Sequence, residues 1–457
     1  MSSSRPTKVT PLSGFPEYLP DERIVEQHFI DVIRSTFELH GFPSIETRAV
    51  EPVERLMGKG GDADKEIYGI HRLADDTTGE GRDGADLGLH FDLTVPFSRY
   101  VVENAGRLNF PFRRHQIQKV WRGERPQEGR YREFTQCDID VVDVGELAPH
   151  FEAEMPLVMA EIFARLPIPP MVIQVNNRQI PEGFYRGLGI GADDASEIQE
   201  TLRIIDKLDK LGRDKVAALL VEAGRTSEQA QACLDLAEIR TEDTSFVDRV
   251  RELGVEHPVL DEGLAALSAV IETGAAAAPG AMVADLRIAR GLDYYTGTVY
   301  ETQLLGHESW GSFCSGGRYD ELASDGKNTY PGVGISIGLS RLLGLLLGKG
   351  LVGASRKSPS AVLVAVTDEG SRPVSVAVAT ALRSRGIPCE VAPAAAKFGK
   401  QIRFAERRGI PYVWFPGAGE SGDQVKDIRS GDQVDADAAA WECPQEDLRP
   451  QVVRLGE

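Results

Sequence analysis

The chain has 457 residues, of which 42% are hydrophobic and 26% are charged, and it carries a net charge of −19. This length predicts two or three domains with a sizeable buried core, and no run approaches the ~20 apolar residues that a membrane span needs. The acidic charge disfavours non-specific binding to nucleic acid, although local basic patches still steer binding.

Five cysteines are scattered along the chain without a C-x-x-C pair, which argues against a zinc site and against a disulfide framework. They are Cys137, Cys233, Cys314, Cys389 and Cys443. No apolar signal segment follows the first residues, M-S-S-S-R-P-T-K-V-T. We therefore expect a cytoplasmic protein, with no membrane partner and no metal ion bound by the protein alone.

The first half of the chain alternates between helical and strand-like patterns. An amphipathic helix is predicted for residues 20–40, a strand-rich region for 87–144, a helix for 146–165 and a strand for 172–175. From about residue 176 to 279 helical periods dominate and aromatic residues are few, which predicts a helical insertion.

Strand-like patterns return at residues 285–301 and 332–338, and a helix is predicted for 340–350. Residues 353–360, G-A-S-R-K-S-P-S, are typical of a linker. A βαβαβ pattern after the linker predicts a small α/β domain with parallel central strands. The predicted class is α+β, with a discontinuous first domain (1–176 and 280–350), a helical insertion (177–279), a linker (351–360) and a C-terminal α/β domain (361–457).

The stretch from residue 119 to 140 combines arginines with apolar alternation, and it predicts two antiparallel strands joined by a loop. Arg122, Arg125, Arg130 and Arg132 fall within eleven residues. Arginine binds phosphate oxygens bidentately, so such a hairpin can hold a nucleoside triphosphate. A solvated charged hairpin is the alternative. It is weakened by the polar residues that interrupt the return strand, because buried polar groups need partners.

Two further segments carry candidate polar groups. In H-F-D-L-T-V-P (90–96), Asp92 and Thr94 are expected on one face of a strand, where a carboxylate can hold an ammonium group; a solvent-facing edge strand is the alternative. In R-G-L-D-Y-Y-T-G-T-V-Y-E (290–301), Arg290 can stabilise negative charge as a metal would. The alternative for that segment is a core strand containing two tyrosines.

Two glycine-containing segments follow. Gly316 and Gly317 either allow close backbone approach or form a hairpin turn. The stretch G-V-G-I-S-I-G-L-S-R-L (332–342) lacks the spacing of a dinucleotide fingerprint. Its Arg341 either lies over a base or a phosphate, or is a helix-surface arginine.

In this order, these motifs resemble those of the histidyl-tRNA synthetase family over essentially the whole chain. R-G-E-R-P-Q-E-G-R-Y-R-E-F (122–134) is similar to the second class II motif, and G-I-S-I-G-L-S-R-L (334–342) to the third. R-G-L-D-Y-Y-T-G-T-V-Y-E and S-G-G-R-Y-D resemble the two motifs that are peculiar to the histidine enzymes. The resemblance implies a class II antiparallel-sheet catalytic domain with a helical insertion, and a C-terminal anticodon-binding domain.

The resemblance also implies an activity and its substrates. Histidine would attack the ATP α-phosphate, with Mg²⁺ accompanying ATP, and the histidyl group would then pass to the terminal ribose of tRNA(His). Arg122 and Arg290 would flank the α-phosphate in catalytic roles. Arg341 and Arg130 would hold the triphosphate and the adenine, and Glu124 would face the adenine.

For histidine, the resemblance implies that the α-amino group is held by Asp92, Thr94 and Gln136. Asp140 and Tyr295 would bracket the imidazole, and Tyr294 would line the pocket. The expected histidine-binding residues are therefore Asp92, Thr94, Gln136, Asp140, Tyr294 and Tyr295. Many bacterial members carry glutamate where this chain has Asp140, and an R-P-E-G-T-type segment where it has F-D-L-T. The shorter Asp140 therefore requires a shifted ring or a bridging water.

A basic helix at residues 397–408 is the expected tRNA-binding face, through Lys397, Lys400, Arg403, Arg407 and Arg408. A solvated helix remains the alternative for each of these residues. The family also implies a homodimer. The competing function is that of a non-catalytic paralogue, a regulatory subunit of ATP phosphoribosyltransferase in histidine biosynthesis. Such proteins typically lack the C-terminal domain and the arginine motifs, so the enzyme is preferred over both this and a pure RNA-binding module.

Overall fold

The computed structural model describes residues 9–57, 65–72, 86–192, 194, 196–288, 294–419 and 422–455. The chain divides into two compact units. The first comprises Met1–Pro16 and Asp31–Leu345, and the second comprises Glu17–Ile30 and Leu346–Glu457.

The helices and strands of the described residues follow one another in chain order. Up to residue 177 they are α1 (Pro20–Leu39), β1 (Val50–Pro52), α2 (Val53–Leu56), β2 (Gly69–Ile70), β3 (Leu87–Leu89), α3 (Thr94–Asn104), β4 (Phe112–Trp121), β5 (Glu133–Val142), α4 (His150–Arg165) and β6 (Met171–Asn177). The predicted first helix, the arginine-bearing hairpin, the helix after it and the strand at 172–175 are confirmed.

The segment predicted to be helical is composed of helices apart from one two-residue strand. Its elements are α5 (Gln179–Gly187), α6 (Ser196–Ile205), α7 (Leu208–Leu211), α8 (Arg213–Glu222), α9 (Ser227–Ala237), β7 (Arg240–Thr241), α10 (Phe246–Glu252) and α11 (Pro258–Ala277). Glycines bring α5 and α11 together, since a Cβ on Gly183 would lie 2.2 Å from the Leu260 nitrogen.

The remaining elements complete the large sheet and build the second unit. They are β8 (Met282–Asp285), β9 (Thr298–Leu304), β10 (Cys314–Tyr319), β11 (Gly332–Gly338), α12 (Leu339–Gly348), β12 (Val352–Ala354), β13 (Val362–Val364), α13 (Arg372–Ser384), β14 (Cys389–Val391), α14 (Phe398–Arg408), β15 (Tyr412–Phe415), β16 (Asp423–Asp427), β17 (Gln433–Ala436), α15 (Gln445–Leu448) and β18 (Val452–Arg454).

An eight-stranded sheet forms the centre of the first unit, in the order β4-β5-β11-β10-β9-β6-β8-β7. Every neighbouring pair is antiparallel except β6 and β8. Because successive side chains of a strand point to opposite faces, β5 presents Cys137, Ile139 and Val141 to one face. Its polar residues Gln136, Asp138 and Asp140 point to the other face.

In the second unit, β13 is flanked by parallel partners β14 and β15, and antiparallel β16 and β17 extend the sheet. The α/β pattern with parallel central strands is therefore confirmed, while the antiparallel extension was not predicted. Trp414 of β15 is fully buried in the apolar layer of this sheet. No helix in the described part of the chain is long and apolar enough to cross a membrane.

Two strand predictions are wrong. Residues 90–96 do not form a strand, because Thr94 begins α3; the Asp92 carboxylate accepts a hydrogen bond from the Val95 amide at 3.0 Å and satisfies a free N–H of the first helical turn. Pro96 fits there because the first turn does not need its missing N–H.

The second wrong strand is the one predicted for residues 285–301. Strand β8 ends at Asp285 and β9 begins at Thr298, so that Tyr294 and Tyr295 lie between strands. The alternative of a core strand containing both tyrosines is therefore also wrong. Gly316 and Gly317 lie inside β10 and do not form a hairpin turn.

Candidate active site

A row of polar side chains crosses one face of the large sheet. The strand register sets Gln136 opposite Gly338, Asp138 opposite Ser336 and Asp140 opposite Gly334. Ser336 is in turn opposite Ser315 of β10. Because these positions alternate along each strand, their side chains share a face. The sheet therefore brings residues distant in sequence into one row.

At one end of the row lies a cavity of about 220 Å³. It is lined by Arg122, Glu124, Gly129, Arg130, Tyr131, Phe134, Gln136, Ser312, Phe313, Ser315, Ser336, Gly338 and Arg341. Three arginines and one carboxylate give this wall a net positive charge. The ring of Phe134 adds a flat apolar surface of the kind on which a planar base can stack.

Backbone carbonyls and an aromatic ring hold the cavity arginines in place. Arg122 donates through Nε to the Phe91 carbonyl at 3.0 Å, and its guanidinium carbon lies 5.2 Å from the Phe134 ring centroid. Arg341 donates through Nη2 to the Trp310 carbonyl at 2.6 Å. The predicted alternative of a helix-surface arginine is wrong for Arg341, because it lies in the cavity wall.

The two remaining charged residues of the cavity pair with each other, as Arg130 Nη1 lies 3.3 Å from Glu124 Oε2. Burial lowers the pKa of Arg341, and the positive charge of Arg130 lowers it further. In the described residues, the Nε of Arg341 has no hydrogen-bond partner. An anion in the cavity would therefore meet cationic groups that the protein itself has only partly neutralised.

The other end of the row is acidic and buried. Asp92 is only 2% exposed and accepts a hydrogen bond from the Tyr294 hydroxyl at 3.3 Å. Thr94 also hydrogen-bonds that hydroxyl. Burial raises the pKa of Asp92. Of the three residues that the resemblance assigns to the α-amino group, Asp92 and Thr94 thus lie together around Tyr294, and α3 rather than a strand carries Thr94, whereas Gln136 lines the arginine-bearing cavity.

The carboxylate of Asp140 is held through both oxygens. Its Oδ2 lies 2.5 Å from Nη2 of Arg114, and its Oδ1 accepts a hydrogen bond from the Tyr319 hydroxyl at 2.8 Å. A Cβ on Gly334 would lie 2.1 Å from Oδ1, so only glycine fits opposite this carboxylate. Burial raises the pKa of Asp140 to about 6, although Arg114 and Tyr319 oppose the rise.

Asp138 lies beside this pair and is also buried. Burial raises its pKa to about 7, and its Oδ1 has no hydrogen-bond partner among the described residues. The Gln136 amide donates to Ser336 Oγ at 3.1 Å. A small space, of about 10 Å³, is lined here by Thr94, Asp138, Asp140, Tyr295, Ser315, Tyr319, Gly334, Ile335 and Ser336.

Tyr295 reaches this space because β10 has a glycine beneath its ring. A Cβ on Gly317 would lie 2.9 Å from Cδ1 of Tyr295. Close approach, which was one of the two interpretations of this glycine pair, is therefore confirmed. Burial and the neighbouring carboxylates raise the pKa of the Tyr295 hydroxyl above its ordinary value, so that it stays a neutral donor.

Comparison with known proteins identifies the family. The profile of the histidyl-tRNA synthetase family matches residues 14–342. The chain is 59% identical to the histidine–tRNA ligase of Cutibacterium acnes, over 98% of this chain and 99% of that protein. The chain belongs to the histidyl-tRNA synthetase family. The histidine–tRNA ligase of Micrococcus luteus is 58% identical, over 97% of this chain and 98% of that protein.

Solved structures agree with this membership. The histidyl-tRNA synthetase from Nostoc sp. PCC 7120 superposes with a TM-score of 0.83 at 37% identity, over 94% of this chain and 97% of that one. An ATP phosphoribosyltransferase regulatory subunit/histidyl-tRNA synthetase from Bacillus halodurans superposes with a TM-score of 0.72 at 17% identity, over 88% of this chain and 97% of that one. This likeness indicates a shared fold alone. The predicted α+β class II fold with a separate anticodon-binding domain is confirmed.

An anticodon binding domain profile matches residues 360–439 of this synthetase-family chain. The predicted basic helix is α14, with Lys397 immediately before it. The side chains of Lys397, Lys400, Arg403 and Arg407 are exposed. Arg408 differs, because it pairs with Glu390 at 3.3 Å and lies over the Phe404 ring at 5.5 Å. The tRNA-binding role of these residues stays a prediction.

The structure of this synthetase-family member adds residues to which the sequence motifs gave no role. Arg114, Tyr319 and Ser336 contact the carboxylates and the amide of the polar row. Tyr319 lies inside the quoted S-G-G-R-Y-D motif, so its position was a usable signal. Arg114 lies outside every motif, and only the β4–β5 register brings it to Asp140. Arg290 lies outside the described residues.

Proposed function

We propose that this chain is a histidine–tRNA ligase that activates L-histidine with ATP and transfers it to the 3′-terminal ribose of tRNA(His). The observation that carries the proposal is the polar row, which joins an arginine-lined cavity to a buried carboxylate cluster on one sheet face. A polyanion and a small amphoteric amino acid therefore have adjoining binding sites of suitable charge.

In the first step, a carboxylate oxygen of histidine attacks the α-phosphorus of ATP, and the bond to the pyrophosphate oxygen breaks. Negative charge grows on the α-phosphate oxygens, and Arg122 stabilises it from a fixed position. Arg341 and Arg130 hold the triphosphate and the adenine, and Glu124 faces the adenine. Arg290 is assigned to the other side of the α-phosphate by resemblance. Mg²⁺ enters as the counter-ion of the ATP phosphates.

Histidine is held at the carboxylate end. Asp92, Thr94 and Gln136 bind the α-amino group, which is cationic at neutral pH and matches a buried carboxylate. Asp140 and Tyr295 each meet one imidazole nitrogen, and Tyr294 lines the pocket. An apolar isostere would leave both of these groups without a partner, which is a strong basis for rejecting it.

In the second step, a terminal ribose hydroxyl of tRNA attacks the histidyl carbonyl and AMP leaves. Exposed cations on α14 and immediately before it, namely Lys397, Lys400, Arg403 and Arg407, bind the tRNA phosphates. We also propose a cytoplasmic location, for which five buried cysteines without a disulfide in the described residues are the support, and a homodimer, for which family membership is the support. We further propose that the domains of the chain are bounded at residues 176, 279, 350 and 360.

The regulatory-subunit alternative is not favoured. The chain retains Arg122 and Arg341 in the cavity wall, and a protein that only senses histidine has no need of them. Its likeness to the regulatory protein is one of fold at 17% identity, whereas its identity with the curated ligases reaches 59%.

Histidine-dependent ATP–pyrophosphate exchange by the purified full chain tests the proposal. Exchange is expected with histidine and not with the other amino acids, and charging of tRNA(His) is expected to follow. A folded preparation that binds histidine without supporting exchange would overturn the ligase and favour the regulatory subunit.

A further inference from the structure

We propose that Arg114 is a positioning residue for histidine recognition, whose guanidinium holds the Asp140 carboxylate in the orientation that meets the imidazole ring. This inference rests on the proposed function and adds to it a residue outside the sequence motifs. As a positioning residue, Arg114 itself contacts no substrate.

The geometry of the pair supports a positioning role. Arg114 of β4 and Asp140 of β5 are direct cross-strand partners. Arg114 is 0% exposed, and its Nη2 lies 2.5 Å from Asp140 Oδ2. The contact is ionic and lacks the alignment of a hydrogen bond, since no guanidinium nitrogen of Arg114 has a hydrogen-bond partner among the described residues. Charge and fixed placement, more than directional bonding, therefore link the two side chains.

Both partners have little freedom to move. The guanidinium carbon of Arg114 lies 4.5 Å from the centroid of the Phe97 ring, so the cation is stacked as well as buried. Asp140 is held on its other oxygen by Tyr319 and faces Gly334 across the sheet. Aspartate is one methylene shorter than glutamate, and its reach to a ring depends on exact carboxylate placement. Arg114 and Tyr319 set that placement from two sides.

Arg114 also favours the ionised form of the carboxyl groups at this end of the sheet. Burial raises the pKa of Asp92, Asp138 and Asp140, and the positive charge of Arg114 lowers all three. The other groups that face Asp140 are the neutral hydroxyls of Tyr319 and Tyr295, the carboxylate of Asp92, which opposes its ionisation, and the carboxyl of Asp138, which lines the same space. Arg114 is thus the cation on which the acceptor state of Asp140 depends.

The chain offers a matched control in the adjacent residue. Arg113 points to the opposite side of β4 and pairs with Glu154 of α4, where Nη2 and Oε2 are 2.9 Å apart. Arg113→Met therefore removes an ion-paired arginine from the same strand without touching the polar row. Any general effect of losing such a pair on stability appears in both variants.

The experiment measures the KM values for histidine and for ATP in pyrophosphate exchange between pH 6.5 and 8.5, for Arg114→Met, Arg113→Met and the unchanged chain. Arg114→Met is expected to raise the KM for histidine about 10- to 100-fold, because it misplaces Asp140 and weakens the one charge-assisted hydrogen bond between that carboxylate and the imidazole. The KM for ATP should stay unchanged. The loss should be larger at pH 6.5 than at pH 8.5, because the pKa of Asp140 rises without Arg114. Arg113→Met should leave both KM values unchanged.

Two further variants keep the inference testable if Arg114→Met does not fold. Arg114→Lys retains the positive charge but not the planar guanidinium, so it should raise the KM for histidine with little change in the pH profile. Tyr319→Phe removes the second contact to Asp140 and should also raise that KM. An unchanged KM for histidine in a folded Arg114→Met, or in Tyr319→Phe where no Arg114 variant folds, would overturn the inference. Absence of exchange in the unchanged chain would instead overturn the proposed function.

Discussion

The polar row has two ends that use charge in opposite ways. At the end proposed for ATP, Arg122, Arg130 and Arg341 line a cavity of about 220 Å³, and among the described residues only Arg130 has a carboxylate partner in its wall. At the end proposed for histidine, Asp92, Asp138 and Asp140 are buried, and the charge of Arg114 acts on all three. Cationic charge is left for the ligand at one end, and buried carboxyl groups outnumber the single guanidinium at the other.

This difference follows from what each ligand needs. A triphosphate carries several negative charges, so arginines with few internal partners gain most from binding it. A histidine side chain is small and nearly neutral at physiological pH, so net charge cannot select it. Polar groups held at fixed positions can select it, because a wrong side chain leaves them buried and unpaired.

The largest effect is expected from removing a cation at the ATP end. Arg122→Ala should lower kcat for pyrophosphate exchange by about 10²- to 10³-fold, the typical loss of one group that stabilises charge in the transition state. Arg125 lies exposed in the same hairpin loop and outside the cavity wall. Arg125→Ala is the matched control and should retain exchange. Equal losses in both variants would mean that loop charge in general, and not Arg122, matters.

A smaller effect, confined to the other substrate, is expected at the histidine end. Asp140→Asn keeps the shape but removes the negative charge that Arg114 and Tyr319 hold. The KM for histidine should rise about 10- to 100-fold, as expected for a lost charge-assisted hydrogen bond. Steady-state exchange kinetics with each substrate varied in turn measure this, and an unchanged KM for histidine would remove Asp140 from the recognition site.

Neutralising basic residues of α14 tests whether pyrophosphate exchange at the two ends of the polar row is independent of tRNA binding. Lys400→Gln combined with Arg403→Gln should reduce the slope of log affinity for tRNA against log salt by about 1 to 2, one phosphate contact per residue. Pyrophosphate exchange should be unaffected. Glu406 is exposed on the same helix, and Glu406→Gln, which makes the helix less acidic, should not weaken tRNA binding. A loss of exchange in the double variant would contradict the proposed division of roles.

The smallest effect concerns the cost of burying Asp138. Its folded-state pKa of about 7 lies above the ordinary value, so stability is lost as pH rises through that pKa and the carboxyl ionises. Asp138→Asn lacks this ionisable carboxyl, so the variant does not lose stability in this way. The melting temperature of the variant relative to the unchanged chain should therefore be higher at pH 8.5 than at pH 5.5, by roughly 2–4 °C. A difference that is the same at both pH values would mean that Asp138 does not titrate in this window.

Much of the fold was predictable because it depends on local patterns. The amphipathic period of α1, the alternation in β4 and β5, and the helical insertion are all features of contiguous residues. The prediction failed where a local capping contact overrode the pattern, because the Asp92 carboxylate accepts a hydrogen bond from the first turn of α3 in a segment that alternates like a strand. It failed again between β8 and β9, where Tyr294 and Tyr295 belong to a strand-like pattern but lie outside both strands.

The candidate site was predictable only in its motif residues. Arg122, Arg130 and Arg341, which the resemblance assigns to ATP, line one cavity, and Gln136, which it assigns to the histidine α-amino group, lines the same cavity. The pairing of Arg114 with Asp140 depends on strand register, and the ring of Tyr295 over Gly317 depends on a contact between β10 and a loop. Such relations join residues far apart in sequence, and a single sequence carries no signal for them.

The most direct test of the division between the two ends is a side-by-side measurement of both KM values in Asp140→Asn and of kcat in Arg122→Ala, by histidine-dependent pyrophosphate exchange. Asp140→Asn should raise the KM for histidine and leave the KM for ATP unchanged. Arg122→Ala should lower kcat and leave the KM for histidine near that of the unchanged chain. If Asp140→Asn raised the KM for ATP as much as that for histidine, the two ends would not serve separate substrates and the account would be wrong.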